Sequence, residues 1–214
     1  MLLRCSFPLG VAILLTAAAP ASAQIVPVGP FSGDLSDNFS GYPQGGHPSL
    51  EIFGGFSTIT ALTPTGSIKI ELSSTLGTGA SADTVTPRSA PQMMGQLSVS
   101  EWVFDQPISH FGAYWENNSR FDNAEVEFFG TSGQLIGTAT ALVDDDAQAW
   151  TWNGWETSAP IGSIVVTGND TEFLSGFIWY EDAQLTLWVP EPISAVALGG
   201  AAVLALARRR RAEG

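Results

Sequence analysis

Residues 124–142 read AEVEFFGTSGQLIGTATAL, and this stretch decides the fold class. From Ala124 to Phe128, apolar side chains alternate with glutamates, which is the period of a strand that buries one face. The Gly-Thr-Ser-Gly sequence at 130–133 supplies residues that favour tight turns. A second strand is predicted at 134–142. The stretch therefore predicts an antiparallel β-hairpin.

The same texture extends in both directions along the chain. Residues 67–72 alternate as cleanly, with Ile68, Ile70 and Leu72 on one face and charged side chains on the other. Further strands are predicted at 49–53, 57–62, 97–104, 108–115, 147–155, 161–167, 172–180 and 184–188. Turn residues separate these runs, and no run between them has helical periodicity. The pattern predicts one all-β domain over residues 49–188, an antiparallel β-sandwich or jelly roll.

Two regions are predicted to be irregular. Residues 24–48 are rich in Pro, Gly, Ser and Asp, which predicts an N-terminal arm or loop with at most one short strand. Residues 73–96 show little periodicity. They predict a long exposed loop, which is the main candidate for a functional or disordered insertion.

Charge and cysteine content narrow the classes of function. Between Gln24 and Val189 there are three Lys and Arg residues against nineteen Asp and Glu residues, so this body carries a net charge near −16. Such a surface repels phosphate backbones, and no nucleic acid is expected as a partner. Cys5 is the single cysteine and precedes the body, which therefore contains no disulfide and no thiol nucleophile.

Residues 1–23 have the organisation of a secretory signal peptide. Arg4 supplies the positive charge, residues 9–19 form a short apolar core, and the Ala-Ser-Ala sequence at 21–23 is a cleavage site. Signal peptidase is therefore an expected partner, and the mature chain is expected to begin at Gln24. An N-terminal membrane anchor is the alternative, against which the short core and the cleavage site argue.

The last twenty-six residues, 189–214, read VPEPISAVALGGAAVLALARRRRAEG and have three parts. The first part consists of Val189, Pro190, Glu191 and Pro192. Its two prolines fix φ and remove backbone donors, which makes it a rigid polar segment. Residues 193–207 carry no charge and predict a single transmembrane helix, roughly 22 Å long and shorter than most. The third part consists of Arg208, Arg209, Arg210 and Arg211, a cluster that keeps its end of a helix in the cytoplasm.

This order of parts resembles the PEP-CTERM sorting signal. With the signal peptide, it is similar to exported proteins of Gram-negative bacteria that often occur with exopolysaccharide and biofilm systems. The resemblance implies processing by an exosortase, anchoring in the inner membrane through the helix, and then a place at the cell surface or outside the cell. It covers about an eighth of the chain, although the later half also has the texture of the jelly-roll ectodomains of that family. An ordinary tail anchor or single-pass anchor is the alternative.

The signatures of common enzymes are absent from the sequence. The histidines are His47 and His110, and no G-x-S-x-G, H-E-x-x-H, P-loop or dinucleotide motif occurs. Pairs of carboxylates for glycoside hydrolysis always exist among nineteen acids, so they carry no weight. A protein without catalytic residues is therefore expected.

Clusters of acidic residues raise the possibility of calcium, which takes several oxygen ligands in a flexible cage. The candidates are Asp144, Asp145 and Asp146, then Glu181 with Asp182, then Asp34 with Asp37. No EF-hand spacing is present, so solvated turn acids are the favoured interpretation and a calcium site is the alternative. No other cofactor is expected.

Three tryptophans in the sequence WTWNGW form the candidate carbohydrate-binding group. They are Trp150, Trp152 and Trp155. On a strand the first two point to the same face, where exposed rings would stack on sugar rings. Because Trp is mostly buried in β-sandwiches, packing in the core is the favoured alternative. The other four tryptophans are expected in the core or at its edge, and they are Trp102, Trp115, Trp179 and Trp188.

Three hypotheses about function follow. The first is a non-catalytic structural or surface-display protein of the envelope or extracellular matrix. The second is a module that binds extracellular polysaccharide, with or without calcium. The third, an extracellular hydrolase, has the least support.

Overall fold

The computed structural model describes residues 24–76, 83–117, 123–143, 149–168 and 177–190 of the 214-residue chain. Within those ranges it contains fourteen strands, one 3₁₀ turn at Phe53–Gly55 and no α-helix. The strands are β1 (Ile25–Pro27), β2 (Leu35–Asp37), β3 (Gly45–His47), β4 (Ser49–Ile52), β5 (Ser57–Ala61), β6 (Ser67–Glu71), β7 (Ser74–Leu76), β8 (Asp83–Val85), β9 (Met93–Leu97), β10 (Val99–Asn117), β11 (Ala124–Gly130), β12 (Leu135–Ala141), β13 (Thr151–Thr167) and β14 (Phe177–Leu187). The prediction of an all-β, antiparallel chain is confirmed.

Two long strands, β10 and β13, organise the sheet. Twelve strands form one hydrogen-bonded sheet, whose main order is β12-β11-β13-β10-β14-β9-β6-β3, and β7 and β8 form a separate hairpin. The two long strands pair with each other along most of their length. On its other side, β10 pairs first with β5 and then with β14. The sheet therefore has two parts that share β10 and β13. One part contains β5, β11, the first half of β10 and the second half of β13. The other contains β14, the second half of β10 and the first half of β13.

These two parts fold over a common core. Trp102, in the first half of β10, has its ring centroid 5.4 Å from that of Tyr180 on β14. Phe128 on β11 lies 5.6 Å from Trp155, in the first half of β13. Each contact joins residues from different parts of the sheet, and the apolar side chains of both parts belong to one buried cluster. This arrangement is consistent with a β-sandwich.

Three predicted breaks are irregularities inside longer strands. Residues 105–107 lie within β10, where the register with β13 shifts between Val103 and Ile108. The predicted strands 147–155 and 161–167 are largely one strand, β13. Glu181 and Asp182 lie within β14, at a point where one residue of β10 faces two of β14. Sequence placed these breaks correctly, but a bulge that bends a strand uses the same residues as a turn that ends it.

The alternating runs fold as their periodicity predicts. Alternate residues of β6 are buried, and on the other face Lys69 and Glu71 form an ion pair of 3.3 Å. Leu72 lies beyond the end of β6 and is exposed, so its predicted place on the buried face is wrong. The β11–β12 turn is closed by the Gly130 N–H, which donates to the carbonyl of Gln134 at 2.8 Å.

Both regions predicted to be irregular contribute strands to the sheet. Residues 24–48 contain β1, β2 and β3, which pair with β13, β14 and β6, so the prediction of at most one strand there is wrong. Residues 73–96 contain β7, β8 and most of β9. Because β9 lies between β6 and β14 and four of its five residues are buried, the prediction of an exposed loop is wrong for this part.

Two residues of β9, Gly95 and Gln96, are explained by contacts with neighbouring strands. A Cβ at Gly95 would lie 2.5 Å from the ring of Trp179, so only glycine permits the observed approach. Gln96 is fully buried, and its amide donates to the carbonyl of Val166 at 2.9 Å. Its carbonyl oxygen accepts the hydroxyl of Tyr180 at 2.6 Å, and burial raises the pKa of that tyrosine well above its usual range.

Both predicted membrane-associated segments lie outside the described residues. These are the signal peptide, residues 1–23, and the tail from Glu191 onward, with the predicted helix 193–207 and the arginine cluster 208–211. Within the five described ranges, no helix has the length and apolar character needed to cross a bilayer.

Candidate functional site

The three tryptophans of WTWNGW occupy different environments. Trp155 is 3% exposed and packs in the core against the rings of Phe111, Trp115 and Phe128. Trp155 follows Trp152 by three residues on a strand, so it points to the opposite face of β13. Trp155 is therefore closed to a sugar ring, and the favoured interpretation, packing in the core, applies to it.

Trp152 lies flat on the outer face of the sheet, away from the core. A Cβ at Gly112 would lie 2.5 Å from its ring, so the ring rests directly on the backbone of β10. Its indole N–H donates to the carbonyl of Val28 at 3.0 Å, and Phe31 and Tyr114 meet it edge-on at centroid distances of 5.6 and 5.2 Å. These contacts leave the ring half-buried.

Trp150 covers a second, smaller apolar cluster formed by Val85, Met93 and Trp179. Its indole N–H donates to the carbonyl of Thr86 at 3.1 Å. Thr86 begins the segment 86–92, which connects β8 to β9 and is called the strap below. Trp150 therefore helps to hold the strap, and its ring is half-buried.

The acidic pair at the bulge of β14 also binds the strap. Glu181 is buried, and its two oxygens accept the backbone N–H groups of Arg88 and Ser89 at 2.7 and 2.8 Å. Asp182, with a positive φ of 48°, accepts the guanidinium of Arg88 at 2.9 Å and the hydroxyl of Ser89 at 2.8 Å. The guanidinium also lies 3.7 Å from the ring centroid of Tyr114. The pair thus anchors backbone to the outer face.

Asp37, at the end of β2, joins two loops. Its carboxylate accepts the backbone N–H groups of Phe39 at 2.8 Å and Phe53 at 2.6 Å, and these two residues have positive φ values of 60° and 53°. The hydroxyl of Tyr42 also donates to it, at 2.5 Å. Burial, together with the hydrogen bond and the charge of Asp37, raises the pKa of Tyr42 well above its usual range.

Asp37 and Asp182 line one open depression, called the cleft below, with a volume of about 510 Å³. They meet because β2 pairs with β14 immediately beyond the bulge. The other residues that line the cleft are Ser36, Asn38, Ser40, Gly41, Tyr42, Gly54 and Gln184. The lining therefore consists mainly of carboxylates, amides and hydroxyls, groups that hydrogen-bond to sugar hydroxyls or to a cation.

None of the described acids converges as a calcium cage. Over the described ranges, no group of three or more His, Cys, Asp or Glu side chains could hold a metal ion. Asp34 accepts the backbone N–H of Leu187 at 2.9 Å, and Asp37, Glu181 and Asp182 accept the bonds given above. The predicted calcium pairs Asp34 with Asp37 and Glu181 with Asp182 therefore accept hydrogen bonds from the protein itself. The third candidate, residues 144–146, lies outside the described residues.

One contact resembles the parts of a catalytic site. Ser109 and His110 share a bond of 2.8 Å between Oγ and Nδ1, and His110 Nε2 lies 3.8 Å from Glu156 across the β10–β13 pair. The same hydroxyl lies 3.4 Å from the carbonyl oxygens of Thr186 and Leu187. Carbonyl oxygens cannot stabilise the negative charge that develops during acyl transfer. The contact therefore links β10 to the end of β14 and to β13.

The first two residues of the predicted sorting segment are described, and both are exposed. β14 ends at Leu187, and the N–H of Trp188 donates to the carbonyl of Pro107 at 2.9 Å. Val189, the next residue, is 77% exposed, and Pro190 is exposed as well. The chain thus leaves the β-body immediately after its last strand.

Comparisons with known proteins identify no family. No family model matches the chain, and no curated protein matches it. Among solved structures, it is similar to a glycoside hydrolase family 43 arabinoxylan arabinofuranohydrolase from Bacillus subtilis, solved in complex with cellotetraose. The TM-score is 0.35 and the identity 16%, over 56% of this chain and 24% of that one. The chain therefore spans about a quarter of that structure, and a likeness of this size indicates no function.

Proposed function

We propose that the chain is an exported bacterial envelope protein, a non-catalytic β-domain that a C-terminal PEP-CTERM tail directs to an exosortase for display at the cell surface or release. One observation carries the proposal. Val189 and Pro190 are exposed directly after the last strand, so the sorting segment begins outside the core. A processing enzyme reads an extended exposed segment, whereas a tail packed into the core would be closed to it.

The charge of the body supports the same proposal. Nineteen acids against three cations between Gln24 and Val189 keep an exported domain soluble and separate from other copies of itself. The side-chain contacts near the acids, such as those of Glu181 and Asp37, stabilise the fold and suggest no reaction. A structural or display role therefore fits the described residues better than catalysis.

Removal of the sorting glutamate is expected to abolish processing. In a bacterium that contains an exosortase, the wild-type chain should be exported with Gln24 at its N-terminus and without residues 208–214. Glu191→Ala should keep the arginine cluster and remain in the membrane fraction. Intact-mass measurement and cell fractionation distinguish the two products.

The matched control for this experiment is Glu125→Ala, which removes one exposed carboxylate from β11 and should be processed like the wild type. Recovery of residues 208–214 from mature surface material of the wild type would count against the proposal. Equal processing of Glu191→Ala would show that a plain membrane anchor explains the tail.

The cleft favours a second candidate, binding of a neutral extracellular polysaccharide. Its lining places two carboxylates, two amides and two serine hydroxyls around about 510 Å³, and both carboxylates are held in place by protein hydrogen bonds. Fixed polar groups bind a polyhydroxylated ligand without a large ordering cost. The net charge near −16 opposes anionic polymers unless calcium intervenes.

A glycan array, read with and without calcium, tests the second candidate. We expect Ser36→Ala combined with Asn38→Ala to weaken binding about tenfold, because each lost hydrogen bond contributes roughly 0.5–1.5 kcal/mol. Thr138→Ala with Thr140→Ala is the matched control, since both are exposed polar residues of β12. If Trp152→Ala abolishes binding and the cleft variant does not, the site lies on the tryptophan face; binding to no glycan removes the candidate.

A further inference from the structure

The β-body ends without a spacer before the sorting segment. The N–H of Leu187 donates to the carboxylate of Asp34 at 2.9 Å, and the N–H of Trp188 donates to the carbonyl of Pro107 at 2.9 Å. Val189 follows at once and is 77% exposed. These two bonds are called the terminal bonds of β14 below. Together with the pairing of Leu187 with Ile108 of β10, they set the point from which the tail can extend.

The length of the chain beyond this point limits the space for an enzyme. From Trp188 to Ile193, the first residue of the apolar run, there are five Cα steps, which span at most about 18 Å. The headgroup layer occupies roughly 5–8 Å of that distance on each side of a bilayer. About 10 Å then remains between the anchored body and the membrane surface, which is close to the diameter of a single helix.

We infer, resting on the proposed function, that the terminal bonds of β14 regulate processing, because their opening lengthens the tether between the body and the membrane and so gives an exosortase more room to reach the exposed sorting segment. Release of Leu187 and Trp188, which also opens the pairing of Leu187 with Ile108, adds two residues to the tether, or about 7 Å of extended chain. Asp34 is thus a positioning residue that acts through the end of β14 and takes no part in the chemistry.

The described contacts show where such opening would stop. Leu185 and Ala183 are fully buried, and both pair with β2. In contrast, Leu187 and Trp188 are only half-buried, and the acceptor Asp34 is exposed. Strand ends with exposed hydrogen bonds open at much lower free energy than buried strands do. The end of β14 can therefore release two residues while the rest of the strand stays paired.

The test measures the initial rate of tail removal from the full-length chain in a host that contains an exosortase. Asp34→Ala should raise the rate about two- to tenfold, the effect of losing one hydrogen bond. Asp34→Asn, which keeps an acceptor oxygen, should stay near the wild-type rate. A Gly-Ser-Gly-Ser insertion between Trp188 and Val189 should raise the rate and remove the difference between Asp34→Ala and the wild type.

Each outcome decides between the inference and the function on which it rests. Unchanged or slower processing in both Asp34→Ala and the insertion variant overturns the inference, whereas the proposed function stands if Glu191→Ala still blocks processing. Absence of processing in the wild type overturns both. Hydrogen exchange gives a second readout, because the amides of Leu187 and Trp188 should exchange faster in Asp34→Ala while that of Leu185 is unchanged.

Discussion

Replacement of Trp155 by alanine is expected to lower the free energy of unfolding by about 3–5 kcal/mol, the range for a large aromatic side chain removed from a core. Its ring is stacked on Phe111 with an interplanar angle of 9° and meets Trp115 and Phe128 edge-on. The cavity would open where β10, β11 and β13 pack together. Because small domains are stable by only about 5–15 kcal/mol, this loss is a large fraction of the total stability. Urea unfolding followed by circular dichroism measures the change.

Trp152→Ala is the matched control, since it removes the same side chain three residues away. That ring is half-buried on the outer face, where it packs on backbone and makes one hydrogen bond. We expect its loss to cost about 1–2 kcal/mol, which corresponds to partial apolar burial and one hydrogen bond. An equal loss in both variants would contradict the assignment of Trp155 to the core and Trp152 to the surface.

The periodicity of the sequence predicts local structure well in this chain, because side-chain alternation depends only on near neighbours. The hairpin at 124–142 and the strand at 67–72 are found close to where alternation places them. The continuity of β10, β13 and β14 could not be predicted in the same way. Residues 105–107 and the pair Glu181 and Asp182 are typical of turns, and only pairing with distant strands keeps the chain extended through them.

β9 shows why other elements escape prediction. Gly95 is of a type depleted in strands, and the polar Gln96 beside it interrupts the apolar pattern that would predict a buried strand. Each is explained by a residue far along the chain, since Gly95 admits the ring of Trp179 and Gln96 bonds to Val166 and Tyr180. Such contacts between distant residues exist only in the folded protein. The sequence of β9 alone therefore predicts a loop.

The sequence indicates two of the acids that line the cleft, but not the cleft itself. The sequence predicts Asp37 and Asp182 as calcium candidates in two separate pairs, but no local pattern indicates that residues 145 positions apart meet at one depression. Their contact depends on the pairing of β2 with β14, and β2 is three residues long and irregular in sequence. The strap was missed for the same reason, because its partners Glu181 and Trp150 lie on other strands.

Replacement of Glu181 by alanine is expected to lower the free energy of unfolding by about 2–4 kcal/mol. The carboxylate is buried and accepts the backbone N–H groups of Arg88 and Ser89, so its removal leaves two donors without their partner. Hydrogen bonds to charged groups contribute roughly 1.5–3 kcal/mol each, although they do not add fully. The strap should detach first, and faster hydrogen exchange at Arg88 and Ser89 than at Gln96 would show this. Exchange that rises equally across β9 and the strap would contradict it.

The same carboxylate gives the folded protein a defined dependence on pH. Burial raises the pKa of Glu181 above the ordinary value of 4.5, and the nearby charge of Asp182 adds to the effect, while the hydrogen bonds from Ser89 and Arg88 oppose it. The folded state therefore binds the proton of the Glu181 carboxyl group more tightly than the unfolded chain does. The contribution of this group to stability thus falls as pH rises from about 4.5 through the raised pKa.

Lowering the pH through the same window should stabilise the wild type relative to Glu181→Gln, which has no proton to bind there. Glu125→Gln, an exposed change of equal charge, controls for the relief of general repulsion in so acidic a body. Two results would contradict the effect of burial: a stability difference between the wild type and Glu181→Gln that is constant with pH, or one that widens in favour of the wild type as pH rises. Either result would make the hydrogen bonds from the strap the dominant influence on the pKa of Glu181.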